Sequence, residues 1–311
     1  MADRIATRVA FGNALAELGE KKKFYVMDAD LSGSTQTGIF AKLFPDRFIN
    51  CGIAEQNMVA TAAGIASTGM PVVCSGFAVF VSGRAFEQIR NSVAYPRLNV
   101  KLCPTHGGIT VGEDGPTHQA CEDLAIMRAL PNMVVINPAD ATEAADAVRA
   151  ILEYDGPVYC RLGRASVPVL FDPATYRFAW GKGRVMADGN DAVIVATGIM
   201  VSAALEARTL LREEGIDAAV LNIPTIKPLD GELIASYAAK TGRVVTAEEH
   251  SVIGGLGGAV AEFLSETLPT RMARVGMPDC FGHSAPADRL LEHYGLTPAG
   301  IAEAVRRLCR Q

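Results

Sequence analysis

Residues 51–74 read Cys51-Gly-Ile-Ala-Glu-Gln-Asn-Met-Val-Ala-Thr-Ala-Ala-Gly-Ile-Ala-Ser-Thr-Gly-Met-Pro-Val-Val-Cys74. From Gln56 to Ala66 the apolar residues keep a helical spacing. A Ser-Thr-Gly break follows, and Pro71 to Cys74 is a short apolar run with no polar alternation. Such a run suits a strand covered on both faces of a parallel sheet. The same kind of run recurs at Phe24–Met27, Asn99–Cys103, Met133–Asn137 and Pro157–Leu162, and again at Ala192–Thr197, Ala218–Ile223, Val244–Ala247 and Met272–Gly276. Between the runs lie helical stretches at Ile5–Leu18, Ala141–Glu153, Ser202–Glu213 and Ala259–Glu266. Strand and helix in alternation predict an α/β fold of two doubly wound, mostly parallel sheets.

The rhythm breaks after Gly163, where Pro168, Pro173, Trp180, Gly181, Gly183 and Gly189 follow without helical period. This places one domain over 1–165, a linker over 166–189 and a second domain over 190–311. A single ten-stranded sheet is the alternative, although open twisted sheets that wide are uncommon. The chain has 311 residues, 49% hydrophobic and 20% charged, which excludes wholesale disorder, collagen and a coiled-coil rod. Its 29 Lys+Arg against 34 Asp+Glu give a net charge of −5, so no basic excess calls for nucleic acid or an anionic membrane. The seven cysteines are odd in number and form no CxxC pair. With no signal-peptide core at the N-terminus, they point to a reducing, cytoplasmic setting.

Four motifs invite a chemical reading, each beside a plainer one. Ser251-Val-Ile-Gly-Gly-Leu-Gly-Gly-Ala-Val260 opens a helix after a strand but lacks the third glycine of a dinucleotide fingerprint, so a tight turn is expected. The five histidines show no metal-ligand spacing, and no protein metal site is expected. Thr105-His-Gly-Gly-Ile-Thr-Val-Gly-Glu-Asp-Gly-Pro-Thr-His-Gln119 follows a strand and precedes a helix. There ligands gather in parallel sheets, though it also reads as a solvated loop with Thr117 capping the helix. Glu55 is either a first-turn carboxylate favoured by the helix dipole or an acid in a mostly apolar pocket. Phe77 and Phe80, at i and i+3, are either core or a stacking platform.

Taken together and in order, Gly52-Ile-Ala-Glu55-Gln-Asn-Met58, Phe77-Ala-Val-Phe80 and Gly112-Glu-Asp-Gly-Pro-Thr-His118-Gln119 resemble the pyrimidine-binding half of transketolases. Ala29-Asp-Leu31 with Ser34, Arg8 in Ala6-Thr-Arg-Val-Ala10, and Glu248-Glu-His250 leading into Gly254-Gly-Leu-Gly257 extend the likeness over nearly the whole chain. The resemblance implies thiamine diphosphate as cofactor and transfer of a two-carbon ketol unit from a ketose to an aldose. It implies that Glu55 hydrogen-bonds N1′ of the aminopyrimidine and favours the tautomer that activates the thiazolium carbon. Phe80 would stack on the pyrimidine, Phe77 would line its pocket, and Asp30 would lie near the thiazolium and sugar end. His118 would contact the reacting carbonyl and Asp114 an acceptor hydroxyl, while Arg8, Ser34, His106 and Arg164 would hold a sugar phosphate.

One departure shapes the expectation. The family's N-terminal domain carries Gly-Asp-Gly for the diphosphate and metal, and no Gly-Asp-Gly occurs here. The chain therefore resembles the C-terminal subunit of a split transketolase, with an N-terminal partner supplying the diphosphate site and Mg²⁺ or Ca²⁺, in an α2β2 assembly. The Ala/Gly-rich helix after Glu55 is the expected contact. Phe11, where a serine often stands, and Gly83, where many members have an aromatic, depart from the pattern in the substrate pocket. A β-subunit of a 2-oxoacid dehydrogenase, a deoxyxylulose-phosphate synthase-like enzyme and a non-catalytic partner subunit are the rival readings.

Overall fold

A computed structural model describes residues 3–310. Fourteen strands are present among them: β1 (Arg4–Ala6), β2 (Tyr25–Asp28), β3 (Phe48–Asn50), β4 (Val72–Ser75), β5 (Val100–Leu102), β6 (Val134–Ile136), β7 (Val158–Cys160), β8 (Ser166–Pro168), β9 (Arg184–Ala187), β10 (Ala192–Ala196), β11 (Ala218–Asn222), β12 (Thr225–Lys227), β13 (Arg243–Ser251) and β14 (Arg271–Met277). They form a seven-stranded sheet in the order β12-β6-β7-β5-β4-β2-β3, a five-stranded sheet in the order β14-β13-β10-β11-β9, and a β1-β8 pair. Every pairing in the two large sheets is parallel except those of β12 and β9 at the edges. The single ten-stranded sheet is thereby excluded.

Eight of the nine apolar runs are interior strands, and the ninth, β14, lies at an edge. All four residues of β4 and all five of both β10 and β11 are buried, as strands with helices on both faces must be. Helix Ala141–Glu153 starts at Asp140, whose side chain accepts from the Glu143 amide, the usual way a helix N-terminus satisfies a free donor. The same Asp140 carboxylate accepts from the amides of Leu170 and Phe171. Glu143 accepts from the Tyr176 hydroxyl and from Asn222 Nδ2, and Asp146 takes the Phe178 amide. One helix thus pins the segment expected to be a plain linker. That segment also contributes β8, paired with β1, and β9, an edge of the second sheet. No described helix is long and apolar enough to cross a membrane.

Candidate active site

The loops that matter leave the carboxyl ends of β2, β3, β4, β5 and β7. At the end of β2, Asp28 is fully buried. Its carboxylate accepts from the Leu31 amide at 2.6 Å, Thr35 Oγ1 at 2.7 Å and Thr37 Oγ1 at 2.9 Å. Burial pushes the Asp28 carboxyl up, and these three donors oppose the shift. The turn so fixed presents Asp30 and Ser34. Asp30 sits at φ +66° and is exposed. It pairs with Asn50, whose Nδ2 lies 2.9 Å from Asp30 Oδ1 and whose Oδ1 takes the amides of Asp30 and Gly52. Ser34 offers its carbonyl rather than its hydroxyl, accepting from Arg8 Nη1 at 2.6 Å.

Glu55 is the first residue of helix Glu55–Ala66, and only 2% of it is exposed. The plain and the chemical readings both catch part of it, because it is a first-turn carboxylate that is also buried. It does not lie in an apolar pocket, however. Arg84 Nη1 stands 3.2 Å from each of its oxygens, and the Arg84 guanidinium carbon lies 4.0 Å over the Phe80 ring. A cleft of about 490 Å³, lined by Ile53 to Asn57 and Arg84, opens onto the carboxylate.

Phe77 and Phe80 do not join the apolar core clusters; they pack on the histidine loop. Phe77 stacks on His106 with centroids 3.9 Å apart, and His118 meets Phe80 edge-on at 5.1 Å. His106 sits at φ +62° with Nδ1 2.7 Å from Thr105 Oγ1. Burial, with Arg8, Arg164 and His118 nearby, lowers its pKa to about 3, so the imidazole is neutral at pH 7. Arg8 is lowered by burial and by the like charge of Arg164. Arg164 donates to the Val111 carbonyl at 2.6 Å and lies 3.8 Å from Glu113. Asp114 is exposed at the end of the 3₁₀ segment Ile109–Asp114. Thr117 does not cap a helix: the next one begins at Asp123, and Thr117 Oγ1 instead lies 3.0 Å from His118 Nδ1.

The second sheet holds this loop from behind. Glu249 of β13, 3% exposed, accepts from the Thr110 amide at 2.7 Å. A Cβ on Gly108, which has φ +83°, would lie 2.2 Å from that carboxylate, so only glycine allows the approach. Arg161, beneath Gly107, donates to Asp123 at 2.9 Å and to the carbonyls of Ala120 and Glu249. Burial works against the Arg161 charge, but Asp123 and Glu249 outweigh it and hold the guanidinium protonated. Gln119 Nε2 reaches the His283 carbonyl.

The structure thus brings Phe77, Phe80, His106 and His118 into one ring cluster. Arg8, Ser34 and Arg164 lie beside it, Glu55 adjoins it through Arg84, and Asp30 and Asp114 stand on the flanking loops. Asp28, Asn50, Arg84, Arg161 and Glu249 were not singled out as site residues from sequence. The signal for Asp28 and Glu249 was an acid ending an apolar run. At the glycine turn, Glu248 accepts from the Leu256 and Gly257 amides, so the protein's own carboxylate fills the helix N-terminus that a phosphate would use. Among the described residues no cluster of three or more His, Cys, Asp or Glu is arranged to hold a metal ion.

Comparison with known proteins bears on the family and the fold. Residues 3–169 match the transketolase pyrimidine-binding domain and residues 181–301 the transketolase C-terminal domain. A putative transketolase C-terminal section from Methanocaldococcus jannaschii is 52% identical over 303 residues, 96% of this chain and 94% of that protein. One of the subunits of an apulose-4-phosphate transketolase from Phocaeicola vulgatus is 40% identical, over 96% of each chain. A solved split-gene transketolase, described as an inactive β4 tetramer, superposes with a TM-score of 0.92 at 53% identity, over 98% of this chain and 99% of that one. The fold is thus that of a two-domain, parallel-sheet α/β enzyme subunit. More particularly, the chain belongs to the transketolase family, and its close relatives are the C-terminal subunits of split members.

Proposed function

We propose that this chain is the pyrimidine-binding subunit of a two-subunit transketolase that moves a two-carbon ketol unit from a ketose phosphate to an aldose acceptor. The observation that carries the proposal is the pairing of Glu55 with the Phe80 ring. A buried carboxylate and an aromatic face meet at one cleft and already accommodate a planar nitrogen cation there. An aminopyrimidine presents the same chemistry, so the residues fit it. Thiamine diphosphate, when bound, supplies the electron sink that makes ketol transfer possible. Glu55 holds and returns a proton at the pyrimidine ring nitrogen, while Phe80 and Phe77 fix the ring plane. His118 donates to the reacting carbonyl, Asp114 takes an acceptor hydroxyl and Asp30 faces the sugar end. Arg8 and Arg164, with Ser34 and neutral His106, receive the phosphate, where a planar guanidinium donates twice to one anion.

The N-terminal partner contributes the diphosphate site and Mg²⁺ or Ca²⁺, in an α2β2 assembly. The outward face of helix Glu55–Ala66, with Gln56, Asn57, Ala60, Thr61 and Gly64 exposed, is the surface assigned to that contact. The related split-gene transketolase described as inactive when assembled from β chains alone supports this dependence. Seven free cysteines fit a cytoplasmic setting. The domain limits 1–165 and 190–311 remain our division of the chain.

The test is Glu55→Gln in the complex with an N-terminal transketolase subunit. It keeps shape and hydrogen bonding but removes the acid, and kcat should fall about 10²–10⁴-fold with assembly intact. Retention of more than about a tenth of the activity would leave Glu55 as a helix-terminus carboxylate only.

A further inference from the structure

Arg84 holds both contacts that the site reading assigns to the aminopyrimidine. Its Nη1 lies 3.2 Å from Glu55 Oε1 and 3.2 Å from Oε2. Its guanidinium carbon stands 4.0 Å from the centroid of Phe80. The group is planar, donates N–H to a carboxylate and lays a flat face on a ring. A protonated aminopyrimidine does the same three things, so the two compete for one seat. Glu55 is 2% exposed on its side chain, and Arg84 is its salt-bridge partner. Without that cation a nearly buried carboxylate would lose its counter-charge, which is costly. Arg84 itself is half exposed, at the last turn of helix Ala78–Arg84. The neighbouring Gly83 has open space around it. Half in solvent and outside the apolar core clusters, the guanidinium can swing out of the cleft without disturbing the core.

We propose that Arg84 is a seat-holder: a counter-ion for Glu55 that is exchanged for the cofactor's pyrimidine and thereby sets cofactor affinity. The proposal rests on the reading of Glu55 and Phe80 given above. An occupied seat raises the apparent Kd in proportion to the fraction of time it is taken. For a half-exposed ion pair that amounts to about 1.5- to fivefold.

The experiment titrates thiamine diphosphate, at fixed Mg²⁺, into the complex of this chain with an N-terminal transketolase subunit, by calorimetry. Arg84→Ala should bind the cofactor about 1.5- to fivefold more tightly than wild type. Arg84→Lys, which keeps the charge but not the planar fork, should fall between them. The free Arg84→Ala chain should at the same time melt about 2–4 °C lower, because Glu55 has lost its partner. Tighter cofactor binding together with a less stable free chain is a combination that a merely structural arginine does not produce. Equal or weaker binding by Arg84→Ala in the assembled complex overturns the exchange. Glu55→Gln separates the two levels. If wild type takes up no cofactor, or Glu55→Gln binds it as well as wild type does, the site reading itself falls and the exchange with it. If Glu55→Gln weakens binding and Arg84→Ala does not tighten it, only the exchange falls.

Discussion

The two loops that carry the site are braced in different ways. The turn after β2 is held by its own domain: one buried carboxylate, Asp28, collects three neutral donors within nine residues. The histidine loop is held from both domains: Glu249 of the second takes the Thr110 amide, and Arg161 of the first, paired with Asp123, ties Ala120 to the Glu249 carbonyl. A domain that supplies none of the nominated site residues therefore helps to fix the loop that carries His106, Asp114 and His118.

The largest effect should come from breaking the buried ion pair. Asp123→Ala leaves Arg161, 3% exposed, without its counter-ion and should cost about 3–5 kcal/mol in urea unfolding. Asp28→Ala strands only neutral donors and should cost less, about 1–3 kcal/mol. Equal losses would erase the distinction between the two braces.

Next in size is the hold on Thr110. Glu249→Ala removes a charge-assisted hydrogen bond worth roughly 1.5–3 kcal/mol, and the Thr110 amide should exchange its hydrogen about 10–150-fold faster. Glu249→Gln retains an acceptor oxygen and should restore most of the protection, whereas Asp28→Ala should leave this amide alone. Unchanged exchange in Glu249→Ala would show that the loop stands by itself.

The last effect is a pH dependence, felt only as the pH falls. His106 has a pKa lowered from 6.5 to about 3 in the folded chain. Below about pH 6.5 the unfolded chain takes up a proton that the native one refuses. Its contribution is therefore complete above pH 6.5 and declines as pH falls toward 3, by at most about 1.4 kcal/mol per pH unit. Unfolding measured from pH 7.5 to 4.5 should be shallower in His106→Gln by up to that slope. An imidazole resonance for His106 that titrates near pH 6.5 would contradict it.

What the sequence shows and hides follows from the same physics. All nine expected strands are present, because a strand buried on both faces must be apolar throughout. The strands that went unread, β1, β3, β8, β9 and β12, lie at sheet edges or in the small pair and, β12 apart, are exposed or only partly buried over most of their length, so no continuous apolar run marks them. The motif residues were legible as a set because their order and spacing match a family. Arg84 was not: its partner is 29 residues upstream, and nothing local says which way a half-exposed arginine turns. Glu249 was visible only as part of a motif, since its target is an amide 139 residues away.

The segment that crosses between the sheets is fastened along its length by Asp140, Glu143 and Asp146. Farther on, β12 reaches back and closes the edge of the first sheet against β6. The peptide bonds of the crossing are thus redundant as a tether. A nick in the exposed stretch 172–175 would leave a particle that still sediments as one body. Of the two pieces, the C-terminal one would keep all five strands of its sheet, and the N-terminal one would lack the edge strand β12 that the other supplies.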